Sequence, residues 1–307
     1  MKKILLSAAV LFVYTSIHAQ EADLIIKNGK LMDGTGNQWQ YKDIAISKNK
    51  IIAIGQLKNW KATKTIDAKG LIVAPGFIDV HGHVEGGESR NPLAGNFIYD
   101  GVTTVITGNC GGSADNLNTY FNTVDSIGTS INIASLMGHN NIRKQVMGTA
   151  NRNATEEELV KMEFLTQKAM QDGAVGMSTG LIYIPGTYAP TEEVVRLAKV
   201  ISANGGVYSS HIRYEEDKVV DAVNEAIHIG RAANIPVEIS HFKVSGQNNW
   251  GRSKETLPLV ENARKEGIDV TIDQYPYTAS STNLGVMLPS DVLSDGQDSI
   301  MARLKNP

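Results

Sequence analysis

Two rhythms of apolar and polar positions divide the chain. From about Ala22 to Val73, short apolar runs are broken every few residues by turn formers, as in "DLIIKNGKLMDGTG", "YKDIAISKNKIIAIG" and "KTIDAKGLIVAPG". Runs of this length separated by Asn-Gly, Asp-Gly and Lys-Asn-Lys read as strands and turns. They predict a small antiparallel β unit over residues 21–74. From Pro75 the spacing lengthens. "GFIDVHGH", "GVTTVITG", "INIASLMGH", "AVGMSTG", "GVYSSHIR", "VEISHFK" and "IDVTIDQYPY" read as seven strands. Between them lie helical stretches: "TEEELVKMEFLTQKAMQDG", "TEEVVRLAKVISANGG" and "EDKVVDAVNEAIHIGRAAN". Thr155 and Thr191 are the expected N-caps of the first two, with acids in the first turn and glycine at the close.

Repeated strand–helix units predict an α/β fold, a parallel sheet covered by helices. An open doubly wound sheet would carry a Gly-rich phosphate turn after its first strand, and none is present. A (β/α) barrel fits residues 75–307 better. Such a barrel needs eight strands, so the expectation is a barrel truncated before strand eight.

Residues 1–20, "MKKILLSAAVLFVYTSIHAQ", follow a different logic. Lys2 and Lys3 precede an apolar core from Ile4 to Tyr14 that is too short to span a bilayer. This is the pattern of a signal peptide, and it predicts export to the periplasm or beyond. No cysteine follows that core, so no lipid anchor is expected there. With 29 basic and 32 acidic residues, the net charge of -3 gives no reason to expect nucleic acid or an anionic membrane as partner. A small molecule is the expected partner.

Export makes the single cysteine informative. Cys110, in "GVTTVITGNCGG", has no partner within the chain, so it is an inert buried thiol, a partner for another chain, a nucleophile or a metal ligand. Its position favours the last of these over a small buried hydrophobe. In a (β/α) barrel the active site forms at the C-terminal ends of the strands. His81 and His83 end the first expected strand, Cys110 the second and His139 the third, while His211 and His241 come late in the fifth and sixth. His81 and His83, two apart on a strand, would point to one side. Imidazoles and a thiolate together suit zinc better than magnesium or calcium, and zinc with an open position suits hydrolysis. His139 either lines the pocket or bonds backbone at the strand end. His228 falls on the face of a helix.

These segments also resemble a known family. "APGFIDVHGH" is similar to the opening motif of the amidohydrolase superfamily. "GVTTVITGNCGG", "GLIYIPG", "SSHIR", "ISHFK", "NWGRSKETL" and "DQYPYTASST" resemble the N-acyl-D-amino-acid deacylases, or D-aminoacylases, from about Asp23 to Pro307. The resemblance implies a metal-dependent hydrolase-type (β/α)8 TIM barrel over residues 75–307, joined to a small β-sandwich to which residues 21–74 contribute. It also implies zinc held by Cys110, His211 and His241, with His81 and His83 at a second, weaker position. Cys110 would take the bridging place that a carboxylated lysine fills in other amidohydrolases. Tyr275 would contact the substrate α-carboxylate, Lys243 and Ser281 its side chain, and Tyr183 the scissile carbonyl. The chain departs from the family at Val84-Glu85, where acids are common, and at Phe242, where many members have histidine.

The family's catalytic aspartate lies in a Ser-Asp-Gly motif on strand eight. Ser294-Asp295-Gly296 follows "DQYPY" too closely and precedes a helix-like segment, so it reads as a capping turn. No catalytic residue is therefore expected within residues 75–307. The implied activity is removal of the acyl group from N-acyl-D-amino acids. The alternatives are a cyclic-amide hydrolase of the dihydroorotase or hydantoinase kind and an inactive metal-binding barrel.

Overall fold

The computed structural model describes residues 20–288, 292–294 and 297–305. The leader expected over residues 1–20 lies, apart from Gln20, outside the described residues, as do Asp295 and Gly296. The chain divides between Pro75 and Gly76 into two units.

The first unit contains β1 (Glu21–Lys27), β2 (Lys30–Leu31), β3 (Gln40–Tyr41), β4 (Asp43–Ser47), β5 (Lys50–Gly55), β6 (Lys61–Asp67) and β7 (Ile72–Val73). These form one sheet in the order β5-β4-β1-β6 and another in the order β3-β2-β7. Lys48 and Asn49 both take positive φ, 49° and 62°, and turn β4 into the antiparallel β5 as a two-residue hairpin requires. The expectation of a wholly antiparallel unit is corrected. β6 pairs with β1, and β7 with β2, in parallel. Each reaches its neighbour by a crossover past intervening strands, and a crossover preserves direction where a hairpin reverses it. Ala22, Ile25, Ala45 and Leu57 form the core of this unit.

In the second unit the strands are β8 (Phe77–Asp79), β9 (Val102–Thr107), β10 (Asn132–Ser135), β11 (Met137–Gly138), β12 (Gly176–Gly180), β13 (Val207–His211), β14 (Val237–Ile239) and β15 (Val270–Ile272). β10 and β11 are one expected strand interrupted at Leu136. Its N–H bonds to Thr107 O at 2.8 Å, while Ser135 O accepts from Val175 N–H at 3.0 Å, carrying the ladder across the break. All pairings are parallel and follow sequence order, as the seven expected strands require. The sheet curls far enough that His81, just past β8, bonds Asp273, just past β15.

The helices are α1 (Gly95–Ile98), α2 (Leu117–Ile127), α3 (His139–Met147), α4 (Glu156–Gln171), α5 (Thr191–Ala203), α6 (Val219–Ala233), α7 (Ser253–Lys265) and α8 (Gln297–Leu304). Met162 of α4, Val194 and Leu197 of α5, and Val223 and Ile229 of α6 pack with Met177, Tyr208 and Ile239 of the strands in a single apolar cluster. Burial of this covered sheet is the main source of stability. Thr155 caps α4 in a capping box with Glu158, as expected. Thr191 does not cap α5. Pro190 holds the N-cap position and Thr191 is the first helical residue, its hydroxyl bonding Glu225 at 2.8 Å. Proline lacks an N–H and its φ is preset, which suits the entry to a helix.

Candidate metal centre and substrate cavity

The candidate metal ligands lie at the strand ends or in the turns up to four residues beyond them. Cys110 follows β9 with φ of 54°, flanked by Gly108 and Gly111 at 76° and 77°. Ser178 of β12 holds this turn from both sides: its hydroxyl donates to Gly108 O at 2.5 Å and accepts from Gly111 N–H at 2.9 Å. Asn140 of α3 locks the next layer, exchanging hydrogen bonds with Gly180 O and N–H at 3.0 and 3.2 Å. A Cβ on Gly111 would lie 2.2 Å from Asn140 Oδ1 and 2.6 Å from Gly180 N. Gly111→Ala is therefore expected to shift the cysteine turn and cost about 1–3 kcal/mol, read from thermal melts and from weakened zinc retention of the full-length protein.

Around Cys110 the ligand atoms fall into two trios that share its sulfur, His81–His83–Cys110 and Cys110–His211–His241, each within 4.8 Å. Cys110 Sγ lies 3.4 Å from His81 Nε2 and 3.8 Å from His241 Nε2. His241 Nε2 stands 2.7 Å from His211 Nδ1. His81 and His83 do converge, with ring centroids 5.3 Å apart. They do so from the turn after β8, which ends at Asp79, and not from alternate positions on a strand.

Buried carboxylates surround these ligands. Asp273 accepts from His81 Nδ1 at 2.8 Å and from the His241 backbone N–H. Glu215 Oε1 lies 3.1 Å from His241 Nδ1 and 2.5 Å from Lys243 Nζ. Burial pushes the Cys110 thiol up to about 12, and the charges of Asp273 and Glu215 add to the effect. Burial likewise lowers His211 to about 3, leaving a neutral imidazole at ordinary pH. For Glu215 burial works upward, but the hydrogen bond from His241 and the Lys243 ammonium outweigh it and hold the carboxyl at about 2. Glu238, deeper in the sheet against Ser209 and Ser240, is raised to about 8 by burial and by its bond to Asp273.

One sulfur with imidazole nitrogens converging on it, His211 Nδ1 and His241 Nε2 only 2.7 Å apart, and carboxylates behind them make a donor set that fits a divalent cation of zinc type.

Beside the ligands opens a cavity of about 730 Å³. Tyr183, Lys243, Tyr275 and Ser281 all line it, as do His83, Cys110, His211 and His241, whereas His81 does not. Tyr183 packs its ring 4.7 Å from that of His211, and its hydroxyl meets Thr282 Oγ1 at 3.0 Å. Lys243 Nζ sits 5.8 Å over the Tyr275 ring. Arg213 fixes the Tyr183 loop by donating to Thr187 O and Ala189 O while paired to Glu225.

His139 takes neither of its two expected places. It is the first residue of α3, fully buried, and its Nε2 pairs with Glu193 at 2.9 Å. His228 is exposed on α6. Glu215 and Asp273 are the candidates that sequence reading missed. Each stood within four residues of a proposed ligand or strand end, in "HIRYE" and "VTID".

Residues 64–239, more than half of the chain, match a model of the amidohydrolase family. A D-aminoacylase from Alcaligenes xylosoxydans xylosoxydans is 39% identical over 289 residues, 87% of this chain and 60% of that protein, so the chain spans three-fifths of this relative's length. A crystal structure of N-acyl-D-glutamate deacylase from Bordetella bronchiseptica, complexed with zinc and a phosphonate mimic of the tetrahedral intermediate, superposes with a TM-score of 0.81. It has 37% identity and covers 84% of this chain and 59% of its own. A D-aminoacylase structure described by its binuclear metal centre gives 0.79 at 35% identity, over 83% and 59%. On the match over residues 64–239 and these likenesses, the chain belongs to the amidohydrolase family.

Proposed function

We propose that the protein is a zinc-dependent deacylase that hydrolyses N-acyl-D-amino acids to a carboxylate and a free D-amino acid. The observation that carries this reading is the position of Cys110, whose sulfur is common to two imidazole pairs at the mouth of a substrate-sized cavity. The deacylase relatives support the substrate class. Cys110, His211 and His241 would hold the first ion, with His81 and His83 completing a second position on the same sulfur. A divalent ion held there supplies Lewis acidity, polarising an amide carbonyl and acidifying water.

The chain's own groups do the rest. Lys243 and Tyr275 present a cation and a phenol to the anionic end of the substrate, Ser281 lines the side-chain space, and Tyr183 sits beside the amide. Asp273 and Glu215 orient the ligand imidazoles through their outer nitrogens. Hydrolysis also needs a group that takes a proton from water and returns it to the leaving amine. We assign that step to an aspartate on an eighth strand that closes the barrel beyond Pro307, with the small N-terminal β unit as part of a sandwich. We further propose that residues 1–20 direct export. No described helix is long and apolar enough to cross a membrane.

A cyclic-amide hydrolase would draw its bridging ligand from a carboxylated lysine on the fourth strand, and β12, Gly176–Gly180, contains no lysine. Full-length protein loaded with zinc is expected to hydrolyse N-acetyl-D-amino acids at least about tenfold faster than their L forms, as judged by kcat/KM, where tenfold is 1.4 kcal/mol of transition-state binding. Faster turnover of the L series would overturn the stereochemical assignment.

A further inference from the structure

Lys243 and Glu215 meet at the outer nitrogen of a metal ligand, and they ask opposite things of it. His241 turns Nε2 inward, 3.8 Å from Cys110 Sγ and 2.7 Å from His211 Nδ1, and Nδ1 outward. Outward Nδ1 has two neighbours: Glu215 Oε1 at 3.1 Å, an acceptor, and Lys243 Nζ at 3.0 Å, a donor. A neutral imidazole carries one proton. If Nδ1–H donates to Glu215, the lone pair is on Nε2 and faces the metal position. If instead Nδ1 accepts from Lys243, the proton sits on Nε2 and the ligand is closed.

We infer that Glu215 is a positioning residue that selects the metal-binding tautomer of His241 against Lys243. The geometry gives it the means. Oε1 accepts from Lys243 Nζ at 2.5 Å, which turns the ammonium onto the carboxylate, and the same atom faces His211 Nε2 at 3.7 Å. Side-chain exposure of 12% for Glu215 and 17% for Lys243 leaves little water to replace either partner. The lysine that lines the substrate cavity thus threatens the metal ligand two residues before it, and Glu215 separates the two roles. This rests on the reading of Cys110, His211 and His241 as metal ligands.

The test is zinc affinity of the full-length protein, measured by competition with a chromophoric chelator, with folding monitored by circular dichroism. Glu215→Ala is expected to weaken zinc binding by about 10–100-fold, the range for loss of an outer partner of a ligand. Adding Lys243→Met to that variant removes the competing donor and is expected to restore most of the affinity. Glu215→Gln, which keeps an oxygen acceptor, should retain more affinity than the alanine variant. It takes the alanine variant's place, with and without Lys243→Met, if that variant does not fold. Histidine-selective 15N spectra of the metal-free protein should show His241 protonated at Nδ1 in the parent and at Nε2 in Glu215→Ala. Unchanged zinc affinity in Glu215→Ala, or equal weakness with and without Lys243→Met, would overturn the inference while leaving the metal site intact. Failure of the parent protein to bind zinc would instead remove the metal reading on which it rests.

Discussion

If the protein is the zinc deacylase proposed above, Cys110→Ala in the full-length protein is expected to empty both metal positions together and to lower turnover by more than about 10²-fold, beyond the range for an outer partner alone. Each histidine ligand belongs to one trio, but the sulfur belongs to both. Loss of His83 would therefore remove part of one position, whereas loss of the thiol leaves two imidazole pairs without their anionic donor. Imidazoles alone bring no negative charge to offset that of the cation. The fold itself should survive. The Cys110 turn is held by Ser178 and by the Asn141 backbone N–H on Gly111 O, and the thiol packs in a partly open site. Zinc content after dialysis, turnover and melting temperature measured on one preparation separate these effects. Zinc and activity should fall together while the melt moves little.

Removing Glu193 should have the largest effect on stability. Its carboxylate is buried in α5 between Arg143 and His139 of α3, and both partners are fully buried as well. Arg143 also donates to Arg152 O at 2.6 Å, so its guanidinium is fixed in place. Glu193→Ala leaves a buried cation uncompensated, and breaking such a pair from one side costs about 3–5 kcal/mol. For a unit of this size that is a melting temperature lower by roughly 6–20 °C.

The same group sets an acid limit. Burial opposes ionisation of Glu193, yet the hydrogen bond and charge of His139, then those of Arg143, hold its carboxyl below the ordinary carboxylate value. A folded-state pKa below the unfolded one stabilises above the unfolded value, near 4.3, and the contribution is lost as pH falls through the folded pKa. Urea melts of the parent between pH 6 and pH 3 should show that loss, and Glu193→Ala should flatten it. A melt of Glu193→Ala indistinguishable from the parent would show that Arg143 finds other partners.

What could be read from the sequence, and what could not, follows from the range of each signal. The strands and the histidines and cysteine that cluster past them were legible because period, turn residues and side chains of metal-binding type occur within ten residues of one another, as in "GFIDVHGH" and "VEISHFK". Helix α3 was hidden because "INIASLMGH" reads as one strand, although the chain turns into a helix at His139 once Gly138 packs on Gly111 O. Helix α7 was masked by Pro258, which sits inside it. The partners of Glu215 and Asp273 were not legible at all. Asp273 meets His81 across 192 residues, and no local pattern encodes that distance. The same limit explains the first unit, where β6 returns to pair in parallel with β1 after four intervening strands.

The shared sulfur can be seen directly. Zinc K-edge X-ray absorption on full-length protein loaded with one equivalent of zinc should show a sulfur scatterer at about 2.3 Å beside nitrogen at about 2.0–2.1 Å. A shell of nitrogen and oxygen alone, with the thiol still free to react, would contradict the assignment of Cys110 as a ligand.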